Sequence, residues 1–233
     1  MENINWNDKD EVLKLVQQDG TALKYVSKEL RNDRNIVTAA VREDGWALEY
    51  ASKELRNDKD IVLIAVCQNG WALEYASKEL RNDRNIVTAA VREDGNSLIY
   101  ASKELRNDKD IVLIAVCQNG WALEYASKEL RNDRNIVTAA VRKDRLALMY
   151  ASKELQDDKE IALTALQNGS NMFIHVSPRL QHDQEVQKAA GFNPDINQEP
   201  DKPDIDTVLG DARKWCQEHN DTPTVQPQHN IER

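Results

Sequence analysis

The chain has 233 residues, 40% of them apolar and 30% charged, with a formal net charge of −9 and a pI near 5.1. That length holds one or two domains, and the acidic balance argues against coating nucleic acid, which needs Lys and Arg to neutralise phosphates. The longest apolar runs, Ile61 to Cys67 and Ile111 to Cys117, fall well short of the roughly 20 residues of a membrane span, the first dozen residues do not read as a secretory leader, and only three cysteines imply a reducing, cytoplasm-like compartment without disulfides.

Internal repetition organises the chain. Units of 25 residues begin at Asp8, Asp33, Asp58, Asp83, Asp108, Asp133 and Asp158, with a partial eighth at Asp183. The units at 58–82 and 108–132 are identical, and the 50-residue blocks 33–82 and 83–132 differ only as Trp46/Asn96, Ala47/Ser97 and Glu49/Ile99. Such identity points to recent duplication of a two-unit block.

The first unit carries Glu11 where later units have Ile, with Lys14 and Gln17 nearby, and reads as a polar cap. In the second, Asp33 precedes Ile36, Val37, Ala40 and Val41, one stripe of an α-helix with Asp as N-cap and Gly45 as the C-terminal stop. This segment is the A helix. A second helical segment, B, follows at 46–52 with Ala47, Leu48 and Ala51 on its core side. Ser52 then caps a short last turn that plants Leu55 in the core, as suggested by Pro178 after Ser177 in unit seven. The run IVLIAV before Asn-Gly also reads as a strand in a hairpin. The equivalent IVTAAVRED of sister units, rich in Ala and Arg, favours helix. Acidic pairs such as Glu43-Asp44 and Glu93-Asp94 lack the alternating oxygens of a calcium loop and read as solvated helix ends. Corner arginines at Arg31, Arg56, Arg81, Arg106 and Arg131 are expected to ladder with the Asp caps of adjacent units.

The partial unit at 183–192 is largely polar and reads as the other cap. Residues 193–203 hold three prolines and form a linker; 204–220 predict an amphipathic helix through Ile205, Val208, Leu209, Ala212, Trp215 and Cys216; 221–233 read as a flexible tail. The expected fold is therefore all-α: a solenoid of about seven 25-residue helical repeats over 1–192 and a short C-terminal amphipathic helix.

The unit D-(K/R)-x-I-V-x-x-A-V-x-x-x-G-x-A-L-x-Y-A-S-x-E-L-R-N resembles the tandem repeat of domain-of-unknown-function family 4116 over residues 8–190. The resemblance implies a repeat architecture and no particular reaction. Unit seven departs from it, with Gly169 one residue early, Ser170 restoring register and His175 in the Tyr place.

Enzymic and metal chemistry find little support. Cys216 and His219 can meet at i, i+3 but have no orienting carboxylate and no second pair of zinc ligands, so no catalytic residue, metal or cofactor is expected. Cys67 and Cys117, two units apart, are expected as free thiols. Two features stand above background. An aromatic ladder joins Trp46, Trp71 and Trp121 to Tyr50, Tyr75 and Tyr125, the rings of each unit sharing one helical face and the Trp positions partly exposed, since Asn96 and Leu146 replace them. Secondly, the A helices of units three and five carry an extra apolar face, Leu63, Ile64 and Cys67 and again Leu113, Ile114 and Cys117, where unit two has Thr38, Ala39 and Arg42.

These residues are the candidate partner-binding surface of a non-catalytic scaffold that holds a protein partner, with no nucleic-acid or membrane role. The alternative is an effector or small enzyme activity that involves the C-terminal region together with the repeats.

Overall fold

The computed structural model describes residues 5–167 and 170–192. The expected linker, C-terminal helix and tail, with Cys216 and His219, lie outside the described residues, as does Gly169. The repeats belong to one compact unit, Met1–Phe192. Its A helices are Lys9–Val16, Arg34–Glu43, Lys59–Gln68, Arg84–Glu93, Lys109–Gln118, Arg134–Lys143, Lys159–Leu166 and Gln184–Ala189, and there is no strand among the described residues. Each helix opens at an Asp whose Oδ1 accepts two otherwise orphaned N–H groups, as Asp33 does from Asn35 and Ile36. The stripe behind the cap, Ile36, Val37, Ala40 and Val41, is fully buried. Each A helix packs on the A helix of the next unit and on the B segments of its own and the preceding unit, the arrangement of an α-solenoid. No described helix is long and apolar enough to cross a membrane.

The B segment is a 3₁₀ helix, Gly45–Tyr50 in unit two. At three residues per turn, Gly45, Leu48 and Ala51 share one side and Ala47 lies on the next, and all four are buried. Trp46 and Tyr50 therefore do not share a face, contrary to expectation from α-helical spacing. The glycine has a different reason from the one expected. Its φ is not positive; a Cβ there would meet the Ala65 carbonyl oxygen of the next unit at 2.5 Å. Gly45 is thus needed for close approach of one unit to the next, rather than as a helix stop. In unit six Arg145 stands at this place, and the A helix it faces, Lys159–Leu166, is two residues shorter than the ten-residue helices.

After the B segment the chain makes the expected corner. The Ser52 hydroxyl accepts from Leu55 N–H at 3.2 Å, and Leu55 packs partly buried against the core. The same serine joins two units: its N–H donates to the Arg31 carbonyl at 3.0 Å and its hydroxyl to Asn32 Oδ1 at 2.5 Å. This double link recurs at Ser77, Ser102, Ser127 and Ser152.

The ion-pair ladder is built from other residues than the corner arginines. The cation one place after each Asp cap reaches the cap of the next unit: Lys9 to Asp33, Arg34 to Asp58, Lys59 to Asp83, Arg84 to Asp108, Lys109 to Asp133, Arg134 to Asp158 and Lys159 to Asp183. Arg34 and Arg84 each take a second carboxylate, Asp60 at 2.9 Å and Asp110 at 2.8 Å, because the fork of a guanidinium spans two acceptors. At the two ends of the series the corner residue instead meets the carbonyls left open where a B segment ends, whereas the buried Nε atoms of Arg56, Arg106 and Arg131 have no hydrogen-bond partner among the described residues. Arg31 donates to the Val26 carbonyl at 2.7 Å, and Gln156, at the same place in unit six, donates to those of Leu148, Met149 and Ala151.

Candidate functional site

The stacking of like segments produces two repeated surfaces, one of A helices and one of B segments. On the B surface each Trp reaches forward to the next unit's Tyr. The ring centroids of Trp46 and Tyr75 lie 5.8 Å apart, those of Trp71 and Tyr100 5.7 Å, and those of Trp121 and Tyr150 5.7 Å, all edge-on. Two of the indoles are also tied by Nε1, Trp71 to Asp94 at 2.6 Å and Trp121 to Asp144 at 2.7 Å. Those carboxylates use their other oxygen to cap the next B segment. Trp46 faces Asn69 in the same register and keeps only the ring contact. The rings thus bridge units, yet Trp46 remains 37% and Trp121 36% exposed, while Trp71 is half-buried.

Tyr50, Tyr75 and Tyr125 are half-buried and border acidic residues. Burial, with the nearby Glu74 carboxylate, pushes the Tyr100 hydroxyl up to about 12. The Asn that replaces Trp in unit four is poorly accommodated. Asn96 is half-buried, its Oδ1 has no hydrogen-bond partner, and neither has the buried Ser97 hydroxyl beside it. The Trp positions are partly exposed, as expected, but enclosed enough that Asn96 sits there at a cost.

On the A surface, Leu63 and Leu113 are 38% and 39% exposed, with Ile64 and Ile114 half-buried beside them. Cys67 and Cys117 are exposed free thiols. Unit two puts Thr38, Ala39 and Arg42 at these places, so large and small faces alternate from unit to unit. An open cleft of about 470 Å³ lies over the small face, walled by Leu13 and Ile64. A second, at the far end, holds about 710 Å³ between Met149, Lys153, His175 and Arg179. Burial and the Lys153 charge hold the His175 imidazole below its ordinary value, so the neutral ring is favoured there.

The model of a family described as Domain of unknown function (DUF4116) matches the chain as six overlapping repeats, at residues 8–56, 39–81, 58–106, 83–131, 108–156 and 133–181. The chain belongs to this family. No curated protein and no solved structure matches it. Five of the six matches are one residue shorter than the 50-residue block 33–82, which is also the period of the alternating A surface.

Sequence reasoning found the residues of both surfaces but missed the forward Trp–Tyr pairing and the carboxylates that tie Trp71 and Trp121. The alternation of Asp94 and Asp144 with Asn69 and Asn119 at one register was the available signal.

Proposed function

We propose that this protein is a non-catalytic scaffold whose repeated surfaces hold a protein partner, with Trp46, Tyr50, Trp71, Tyr75, Trp121 and Tyr125 on one side and Leu63, Ile64, Leu113 and Ile114 on the other. The observation that carries this reading is the row of large apolar side chains left over a third exposed at fixed period, Leu63 and Leu113 above all. With about two-fifths of each leucine still in water, an interface that covers it recovers about 0.6–1.2 kcal/mol per side chain. The surplus of carboxylates favours a protein over a nucleic acid.

The test is a crosslinking pull-down with the full chain and two variants, each checked by thermal melting. One is Trp46→Leu/Trp71→Leu/Trp121→Leu, which keeps apolar packing as Leu146 does in unit six. The other is Leu63→Thr/Ile64→Ala/Leu113→Thr/Ile114→Ala, which copies Thr38 and Ala39. A partner held by the parent and lost with a variant that melts like the parent supports the scaffold. A partner held equally by both variants, or none recovered, refutes the assigned surfaces.

A further inference from the structure

The A surface is corrugated, and the corrugation has a charge at one end. Consecutive A helices lie parallel, since the first-turn cation of each meets the first-turn caps of the next. At about 8–10 Å between neighbouring axes, alternate helices stand about 16–20 Å apart. Leu13 and Ile64 rise on either side of Thr38 and Ala39, and together they line the open cleft over unit two. The same residue types recur over unit four, where Leu63 and Ile114 flank Thr88 and Ala89. Over unit six Thr164 replaces the isoleucine, so that trough lacks one apolar wall. An α-helix with its side chains is about 10–12 Å across, which suits the space above one small-faced helix between two large-faced ones.

The electrostatics select the occupant. At the opening turn of the trough Arg34 is already bound to Asp58 and Asp60. At the closing turn stand Arg42 and, one trough on, Arg92, both exposed and without an ion pair among the described residues. Glu43 and Glu93 follow them in the chain but point about 100° round the helix, toward the rim. An otherwise acidic chain thus offers guanidinium groups without an ion pair among the described residues at the ends of two troughs walled by leucine and isoleucine, and the one over unit two is lined by Gln17, Asn35 and Thr38 as well.

We propose that these two troughs each take an amphipathic helix of a partner protein, antiparallel to the A helix, whose first turn places a carboxylate on Arg42 or Arg92. Acidic residues suit the first turn of a helix, where they oppose its dipole, so the partner's carboxylate strengthens its own helix while it pairs. The apolar stripe of the partner seats on Ala39 or Ala89 between the leucine and isoleucine walls. This rests on the scaffold reading and names the partner's chemistry on one of its two surfaces.

The experiment uses two fluorescein-labelled synthetic peptides of about 14 residues, with the same leucine stripe and either two Glu or two Lys in the first turn. Anisotropy titrations are run against the full chain. The Glu peptide is expected to bind at least about tenfold more tightly than the Lys peptide. Arg42→Gln/Arg92→Gln, which puts in the residue that unit one carries at Gln17, is expected to erase that difference while the melt stays unchanged. Ile64→Ala/Ile114→Ala is expected to weaken both peptides. Equal binding of the two peptides, discrimination that survives the arginine variant, or binding of neither overturns the proposal. A partner that the full chain holds through its Trp surface while neither peptide binds sinks this inference and leaves the scaffold standing.

Discussion

Gly120→Ala tests the close approach of one unit to the next. A Cβ at this position would lie 2.6 Å from the Ala140 carbonyl oxygen, 2.8 Å from Asp144 Cβ and 3.0 Å from Asp144 N, all belonging to the next unit's A helix or its end. The first and third of these are backbone atoms, so they yield only if two units move apart. Overpacking of this kind costs about 1–3 kcal/mol. Against it stands a gain of about 0.4–1 kcal/mol, because alanine restricts the unfolded chain. The net expectation is a loss of about 1–2 kcal/mol. Gly191→Ala is the counterpart, with nothing within 4 Å but a φ of 86°, so its cost is conformational. Urea unfolding followed by circular dichroism measures both. The diagnostic readout is rescue: D-alanine, introduced by semisynthesis, suits positive φ and is expected to restore position 191 but not 120. A Gly120→Ala protein as stable as the parent would refute the close approach.

Three other outcomes follow from the same architecture. Leu73 is fully buried, and Leu73→Ala should destabilise by about 2–5 kcal/mol; a change below about 0.5 kcal/mol would place the B segment the wrong way round. Deleting 83–132 should leave a shorter helical protein with a cooperative melt, because Lys59 then meets Asp133 as it met Asp83, and an unfolded product would refute linear stacking. The bonds from Lys109 and Lys159 hold Asp133 and Asp183 below the ordinary carboxylate value. A carboxyl depressed in the folded state stabilises above its unfolded value of about 3.9 and loses that contribution as pH falls through the folded value. The melting temperature should accordingly hold from about pH 6 to pH 5 and drop below about pH 4, and a flat profile down to about pH 2.5 would exclude the caps as the acid-sensitive element.

The A helices were legible because cap and stripe are both local: Asp33 and Ile36 to Val41 satisfy one helical period, and the structure buries that stripe. The B segment was legible as helical and core-facing but not in its pitch. Leu48 and Ala51 are three apart, a spacing shared by α and 3₁₀ helices, and only the pitch decides where Trp46 and Tyr50 point. The cation ladder was misassigned for a related reason. Arg31 and Arg34 recur at the same interval, so periodicity cannot tell them apart. What separates them is that Arg34 begins a helix lying beside the next cap, while Arg31 sits under the open carbonyls of its own B segment. The Trp pairing escaped because its partner lies 29 residues on, as Tyr75 does from Trp46, a distance that belongs to no single-helix rule.

The ladder of caps also has a direction. Every cation reaches toward higher residue numbers, so one end face of any unit donates and the other accepts. A stack with unlike ends has no built-in stopping point, and two such molecules meeting end to end would make the heterologous contact from which filaments grow. The eighth A helix begins with Gln184 where the seven before it place Lys or Arg. A neutral amide there removes the charge that would seek a further Asp cap, so the donor side of the series finishes on a residue with nothing to pass on.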